Sequence, residues 1–272
     1  MTSADRQISP DLTPQRIVCL TEETVETLYL LGQDHRIVGV TGYAVRPPRV
    51  RRDKPRVGAF TSADIPKILA LEPDLVLTFS DLQADIVAQL IRAGIAVHAF
   101  NQRDIAGILA MIQTLGALTG ATAQAADLIA LHRARMAAMA DHPPAIRPRI
   151  YFEEWDEPMI SGIRWASELI AVAGGVDVFE DLSHAPSAKD RIVTSEQVIA
   201  AAPDIIIGSW CGKKLRPEKI AARPGWSDIP AVRNGHIFEV KSPLILQPGP
   251  AALGDGLDAI GAIMSRVAEE VA

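Results

Sequence analysis

Short apolar runs alternate with segments of helical period along most of this chain. In the first hundred residues, positions 16–20 (RIVCL), 36–40 (RIVGV), 73–79 (PDLVLTF) and 95–100 (IAVHAF) are runs of strand length. Between them, residues 21–31, 65–71 and 81–93 have the spacing of helices, with Thr21 fitting as an N-cap for the first. Strands separated by helices at this interval predict a parallel sheet covered on both faces. Residues 42–60 (GYAVRPPRVRRDKPRVGAF) interrupt the pattern, because their prolines and mixed charges exclude regular structure over most of that length.

The second half repeats the scheme. Residues 149–153 (RIYFE) predict a strand, 155–164 a loop, and 165–173 a helix stopped by Gly174 and Gly175. A further helix is expected at 194–202, opening with a capping box of Thr194 and Gln197. Strands at 203–210 (PDIIIGSW) and 236–240, a helical turn at 219–222 and a terminal helix at 251–271 complete it. Residues 68–81 (ILALEPDLVLTFSD) and 198–211 (VIAAAPDIIIGSWC) share a helix, then Pro-Asp, then an apolar strand. Either each half contains the same unit, or two βαβ pieces share a pattern for packing reasons alone.

Residues 105–142 divide the halves. Gly116 and Gly120 interrupt the first part, whereas residues 121–142 are alanine-rich, free of proline, and carry Ala126, Ile129, Ala130 and Met136 at helical spacing. Pro143, Pro144 and Pro148 end that helix. The expectation is an α/β chain of two lobes, residues 15–120 and 143–272. Each lobe has a parallel-rich sheet flanked by helices, and one long helix at 121–142 joins them and permits only limited closure.

Composition narrows the function. Among 272 residues, 48% are apolar, enough for real cores. A net charge of −6 argues against a general nucleic-acid binder, and no run of about 18 apolar residues exists to insert in a membrane. The opening MTSADRQISPDLTPQR lacks the apolar core of a secretory signal, so the chain as written reads as cytoplasmic. Two cysteines make no disulfide framework. The six histidines show no metal-site spacing, and neither a G-x-S-x-G elbow nor a phosphate-binding glycine loop occurs. No catalytic residue, metal site or intrinsic cofactor is therefore expected, and the chain reads as a non-enzyme.

The segment RIVCLTEETVETLYLLGQDHRIVGVT, the unit ending in EPDLVL and its second copy TSEQVIAAAPDIII stand in an order that resembles the substrate-binding proteins of ABC importers for vitamin B12, iron-siderophores and haem. The likeness runs from about residue 15 to the C-terminus and implies the bilobal class III fold, whose members are typically periplasmic. It implies a monomer that carries a metal chelate as cargo, a cobalamin-like corrinoid ahead of a ferric siderophore or haem, and an ABC permease as partner. In this family one glutamate on the first helix of each lobe faces permease arginines; the matching positions are Glu26 and Glu196.

A ligand of such a fold belongs where loops leave the carboxyl ends of the strands. Those exits offer Thr21, Glu22 and Glu23, then Tyr43, Arg46, Phe60 and Ser80 in the first half, and Trp155, Trp165, Trp210, Cys211 and Lys213 with residues 244–247 in the second. Of these, Tyr43, Arg46, Phe60, Trp155, Trp165, Trp210, Cys211 and Lys213 are the candidate ligand contacts. Three of four tryptophans lie at strand exits in a chain only 5% aromatic, which favours a planar or bulky apolar ligand. Arg46, nearest the strand exit in a basic loop, suits a carboxylate or phosphate on the ligand. Glu153, Glu154, Asp156 and Glu157 form either a cluster for a cation or a basic ligand, or a solvated run. Cys211 is either a thiolate ligand or an inert small residue. The alternative class is a cytosolic cofactor carrier or enzyme on the same fold, with Glu153, Glu154 and Cys211 supplying its chemistry.

Overall fold

The structure, a computed structural model, describes residues 12–271. Most of the N-terminal segment examined for a secretory signal lies outside the described residues. Among those described, no helix is long and apolar enough to cross a membrane.

The first sheet contains β1 (Ile17–Cys19), β2 (Ile37–Val40), β3 (Leu75–Phe79) and β4 (Val97–Phe100), all parallel in the order β2-β1-β3-β4. The second contains β5 (Arg149–Asp156), β6 (Met159–Ser161), β7 (Val176–Asp177), β8 (Ile205–Gly208) and β9 (Ile237–Glu239). Its parallel members pair β7 with β5, β5 with β8 and β8 with β9, the same order as in the first sheet. The chain therefore switches direction of growth at the same place twice, between β1 and β3 and between β5 and β8. One addition breaks the likeness. Where the sequence predicts a loop at 155–164, β5 runs on to Asp156 and returns as antiparallel β6, because the Glu157-Pro158 turn joins two segments rich in strand formers.

Why the same apolar motif folds the same way in both halves is visible at the Pro-Asp dipeptides. Asp74 accepts hydrogen bonds from the backbone N–H of Gln15 (2.7 Å) and Arg16 (3.0 Å), and Asp204 accepts one from Arg149 (2.9 Å). Each aspartate thus fixes the start of the neighbouring strand. The side chains of Arg16 and Arg149 in turn donate to the carbonyls at the C-terminus of the preceding helix, at Leu71 (2.5 Å) and Ala201 (2.9 Å). Immediately before Pro-Asp, Glu72 and Ala202 both adopt left-handed backbone, with φ of 47° and 45°, which ends the helix and turns the chain into the strand. The repeated pattern is one structural device used twice.

Alternation along the strands sorts their side chains onto two faces. Ile17, Cys19, Leu75, Leu77, Ile150, Phe152, Ile205 and Ile207 join one continuous core with Ile108, Ile112 and Leu115, so the inner faces of both sheets are bonded through a shared interior. Val18, Leu20 and Val76 pack on the outside of the first sheet, Tyr151 and Ile206 on the outside of the second.

Two helices lie between the sheets in sequence. Asp104 caps Ile105–Thr119 by accepting from Gly107 N–H at 2.7 Å, and Gly120 ends it with φ of 73°. Thr122–Ala140 follows and folds back on it. Gly116 sets the approach, since a Cβ there would lie 2.4 Å from that of Ala125. The terminal helix predicted at 251–271 begins as a π turn at Ala252–Gly256 before continuing as Leu257–Val271. Close packing accompanies this wider turn: a Cβ at Gly256 would meet the Leu244 carbonyl at 2.5 Å.

Candidate functional site

The carboxyl ends of both sheets open into one cleft of about 430 Å³. Its first wall is built from the β1 exit (Thr21, Glu22, Glu23), the β2 exit (Thr41, Tyr43), the segment Phe60–Thr61 and the end of β3 at Phe79. Across it stand Glu154 of β5, Cys211 after β8, and Leu246, Gln247 and Pro248. In both sheets part of the lining comes from the switch point, the β1 and β3 exits in the first and the β5 and β8 exits in the second, where adjacent strands send their connections in opposite directions and leave a crevice.

Local chemistry holds the first wall in place. Gln83, fully buried, donates from Nε2 to the carbonyls of Leu20 (3.1 Å) and Phe60 (2.7 Å) and accepts from Phe79 N–H at 3.0 Å. One side chain thereby ties the β1 exit, the Phe60 segment and the end of β3 together. Gln102 donates to the Pro248 carbonyl at 2.9 Å, holding the opposite rim, and Gly249 lets that rim close on Glu23, because a Cβ there would lie 2.5 Å from the Glu23 Cβ.

Glu22 and Glu23 open the helix Glu22–Leu30, where the helix dipole favours their negative charge. Desolvation overrides the dipole. Burial first, then the charges of Glu23 and Glu26, push the Glu22 carboxyl up to about 8. Burial pushes Glu23 up to about 7, against an opposing hydrogen-bonding contribution from Thr21. Glu23 is 2% exposed, and its Oε1 accepts no hydrogen bond.

On the side of the second wall three carboxylates have basic partners, although Asp156 Oδ1 stays unbonded. Glu153, wholly buried, receives two bonds from Arg223 (2.6 and 3.0 Å) and one from Trp210 Nε1 (3.1 Å). Glu154 receives two from buried Arg191 (2.6 and 3.1 Å), and Asp156 pairs with Lys213. Glu153, Glu154 and Asp156 are therefore neither a solvated face nor an open cation site, while Glu157 is exposed to solvent. Among the described residues, no group of three or more His, Cys, Asp or Glu is placed to hold a metal ion. Burial, then the charges of Glu22 and Glu154, raises the Cys211 thiol, which opposes a free thiolate there.

Tyr43, Phe60 and Cys211 line the cleft as expected, with Tyr43 half exposed. Five other candidates do not. Trp165 is a core strut, 3% exposed, whose indole donates to the Ile245 carbonyl at 2.7 Å. Trp210 is buried on the outer side of the second sheet, where Trp155 also packs and bonds the Glu157 carbonyl. Lys213 sits over both rings, 5.6 Å from Trp155 and 5.0 Å from Trp210, and its charge is committed to Asp156. The tryptophans consequently give no argument for a planar ligand. Arg46 bonds Glu26 at 2.7 Å and Asp255 at 2.7 Å, beside the cleft and not in it. Glu22 and Glu23 stand at the β1 exit in the sequence but outside the eight candidate contacts, and both line the cleft. Gln83 gave no signal at all.

Glu26 is corrected as well. It is 8% exposed, bonded to Arg46 and to Ala251 N–H (3.1 Å), and presents no carboxylate to a partner. The duplicated motif aligns Glu196 with Pro66, not with Glu26, so the first half has no acid at the equivalent place. Glu196 itself is exposed, and its own backbone N–H, then the Thr194 hydroxyl, hold its carboxyl below the ordinary range.

Comparison with known proteins agrees with this architecture. The periplasmic binding protein family model matches residues 17–244. The chain belongs to that family. A cobalamin-binding protein of Halobacterium salinarum is 27% identical over 256 residues, spanning 91% of this chain and 69% of its own length. The fold is also that of a possible iron-binding periplasmic solute-binding protein of Staphylococcus epidermidis (TM-score 0.80, 22% identity, 93% of this chain and 99% of that one). It matches equally the periplasmic haem-binding protein RhuT of Roseiflexus sp. RS-1 (TM-score 0.77, 24% identity, 92% and 99%). This family member thus shares its α/β fold with a haem-binding protein and a possible iron-binding protein.

Proposed function

We propose that this chain is the solute-capturing component of an ABC importer and that it holds a corrinoid in the cleft between its sheets. The observation that carries the reading is the cleft itself, assembled from both switch points, in a chain whose relative of 91% coverage is a cobalamin-binding protein. A corrinoid edge is a ring of amides around an apolar macrocycle. Phe60, Phe79 and Leu246 supply apolar contact, and Thr21, Glu23, Thr41 and Gln247 supply acceptors for amide N–H groups. The bilobal reading assigns the first sheet to one lobe, the second to the other and Thr122–Ala140 to the joint. The shared core and the Glu26–Arg46–Asp255 bridge favour small closing motions.

Capture, and not chemistry, fits the groups present: Glu153 and Glu154, the acids open to an enzymatic reading, are consumed by Arg223 and Arg191. For the permease we keep Glu196 as the docking acid and leave the first half without one. An iron chelate is the second reading, favoured by the half-exposed phenol of Tyr43 in the cleft, since phenolate is a good ligand for ferric iron. Absorption spectroscopy and mass spectrometry of the chain purified from its native host separate the readings. A corrinoid spectrum co-eluting with the protein is expected. A ferric or haem spectrum in its place overturns the corrinoid.

A further inference from the structure

We infer that the cleft selects metal chelates that are cationic or uncharged and rich in N–H donors, and rejects polyanionic ones. The inference rests on the reading that a metal chelate is the guest, and it specifies the charge that guest carries.

No Lys, Arg or His is among the described residues that line the cleft. The cations nearby are already engaged: Arg191 with Glu154, Lys213 with Asp156, and Arg46 with Glu26 and Asp255. Arg103, stacked 5.0 Å from the centre of the Phe79 ring, bonds Asn101 at 2.8 Å and lies 3.7 Å from Asp81. Among the residues that line the cleft, the unmatched groups are negative or acceptors; outside the lining, the Nε groups of Arg103 and Arg191 lack hydrogen-bond partners. Among the described residues Glu22 has no ion-pair partner, and Glu23 keeps an unbonded oxygen although it is 2% exposed. A buried oxygen without a donor is an unmet demand that an incoming N–H satisfies. A carboxylate or catecholate guest would bring more negative charge to the same acids and find no cation among the described residues that line the cleft.

The two acids also make binding proton-linked. Glu22 is influenced by Glu23 and Glu26 on its own helix, and across the cleft it acts on Cys211, which Glu154 also reaches. Near neutral pH both acids are partly protonated, at about 8 and about 7. A positive guest favours their ionised forms, so binding releases protons and tightens as pH rises toward 8.

The test is isothermal titration calorimetry of the full chain at about pH 7.5, the pH lying between the two acids' values, with four chelates. These are aquacyanocobinamide, a cation; cyanocobalamin, with no net charge; haemin; and a ferric tris-catecholate. Both corrinoids should bind at least roughly tenfold more tightly than either anionic chelate. Repeating the cobinamide titration in buffers of different ionisation enthalpy should show proton release. The double variant Glu22→Gln/Glu23→Gln, its fold checked by circular dichroism, should lose that release and most of the preference for the cation. An anionic chelate binding as tightly as the corrinoids overturns the inference while leaving a chelate-binding protein. Proton release that survives in the double variant overturns the role of the two acids. Failure of all four chelates to bind overturns the chelate reading itself, and the inference with it.

Discussion

The two halves of this molecule share a frame and differ in what they do with charge. Both use the strand order 2-1-3-4, a Pro-Asp whose aspartate anchors the next strand, and a left-handed residue that ends the preceding helix. At the second wall and just behind it Glu154, Glu153 and Asp156 each have a base, whereas among the described residues Glu22 and Glu23 on the first wall have none. Framework positions are constrained alike by hydrogen bonding, while wall positions face the guest and are free to diverge. What was duplicated is the scaffold, and what differs is the site.

Breaking the matched wall should produce the largest effect. Arg223→Ala leaves Glu153 buried with only the Trp210 indole as donor, and should cost roughly 3–5 kcal/mol in urea unfolding. A cost under about 1 kcal/mol would mean the pair is not what holds that wall.

On the open wall the sign reverses. Glu23 shifts from 4.5 to about 7, so between those values the folded chain holds more protons than the unfolded one. Stability must then fall as pH rises through that window, with the loss complete above about 7. Glu23→Gln should therefore stabilise the protein by roughly 2 kcal/mol at a pH near 8, or about 4–8 °C in Tm, and the gain should vanish near pH 4. Equal gains at both pH values would contradict the assignment.

The shared frame is tested by paired substitutions. Asp74→Asn and Asp204→Asn each weaken a charge-assisted bond to a strand start, and each should cost about 1–2 kcal/mol by chemical denaturation. A cost in one half alone would break the equivalence. The smallest effect is expected from Ala202→Gly, which relieves a left-handed alanine and should gain about 0.5–1 kcal/mol, with Glu72→Gly behaving alike.

The sequence carried the frame well, for a physical reason. Buried parallel strands demand continuous apolar runs, and helix ends demand caps. The capping box of Thr194 and Gln197 is present in full, and the ends of Ile105–Thr119 and Thr122–Ala140 fall at Gly120 and short of Pro143 as composition required. The π turn and the β5–β6 hairpin escaped: the first packs against the Leu244 carbonyl, which the local pattern does not reveal, and the second is a local pairing hidden by a proline and charges that read as a loop.

The site was legible only as a location. Strand exits marked Tyr43, Phe60 and Cys211, yet Trp165 and Trp210 lie at the same kind of exit and turn inward to the core. Which way a side chain points is decided by packing that spacing does not encode. Pairing is hidden as well: Arg46 looks like an anion receptor until Glu26 and Asp255, 20 and 209 residues away, are seen to occupy it.

The central claim is that the cleft joining the two switch points is the ligand site and that its unmatched first wall meets the guest. A crystal structure of the chain with aquacyanocobinamide addresses it directly. The account predicts the corrinoid between the two sheets, with an amide N–H on Glu23 Oε1 and the ring edge against Phe60. A corrinoid seated outside that cleft, or within it with Glu23 Oε1 still unbonded, would contradict it.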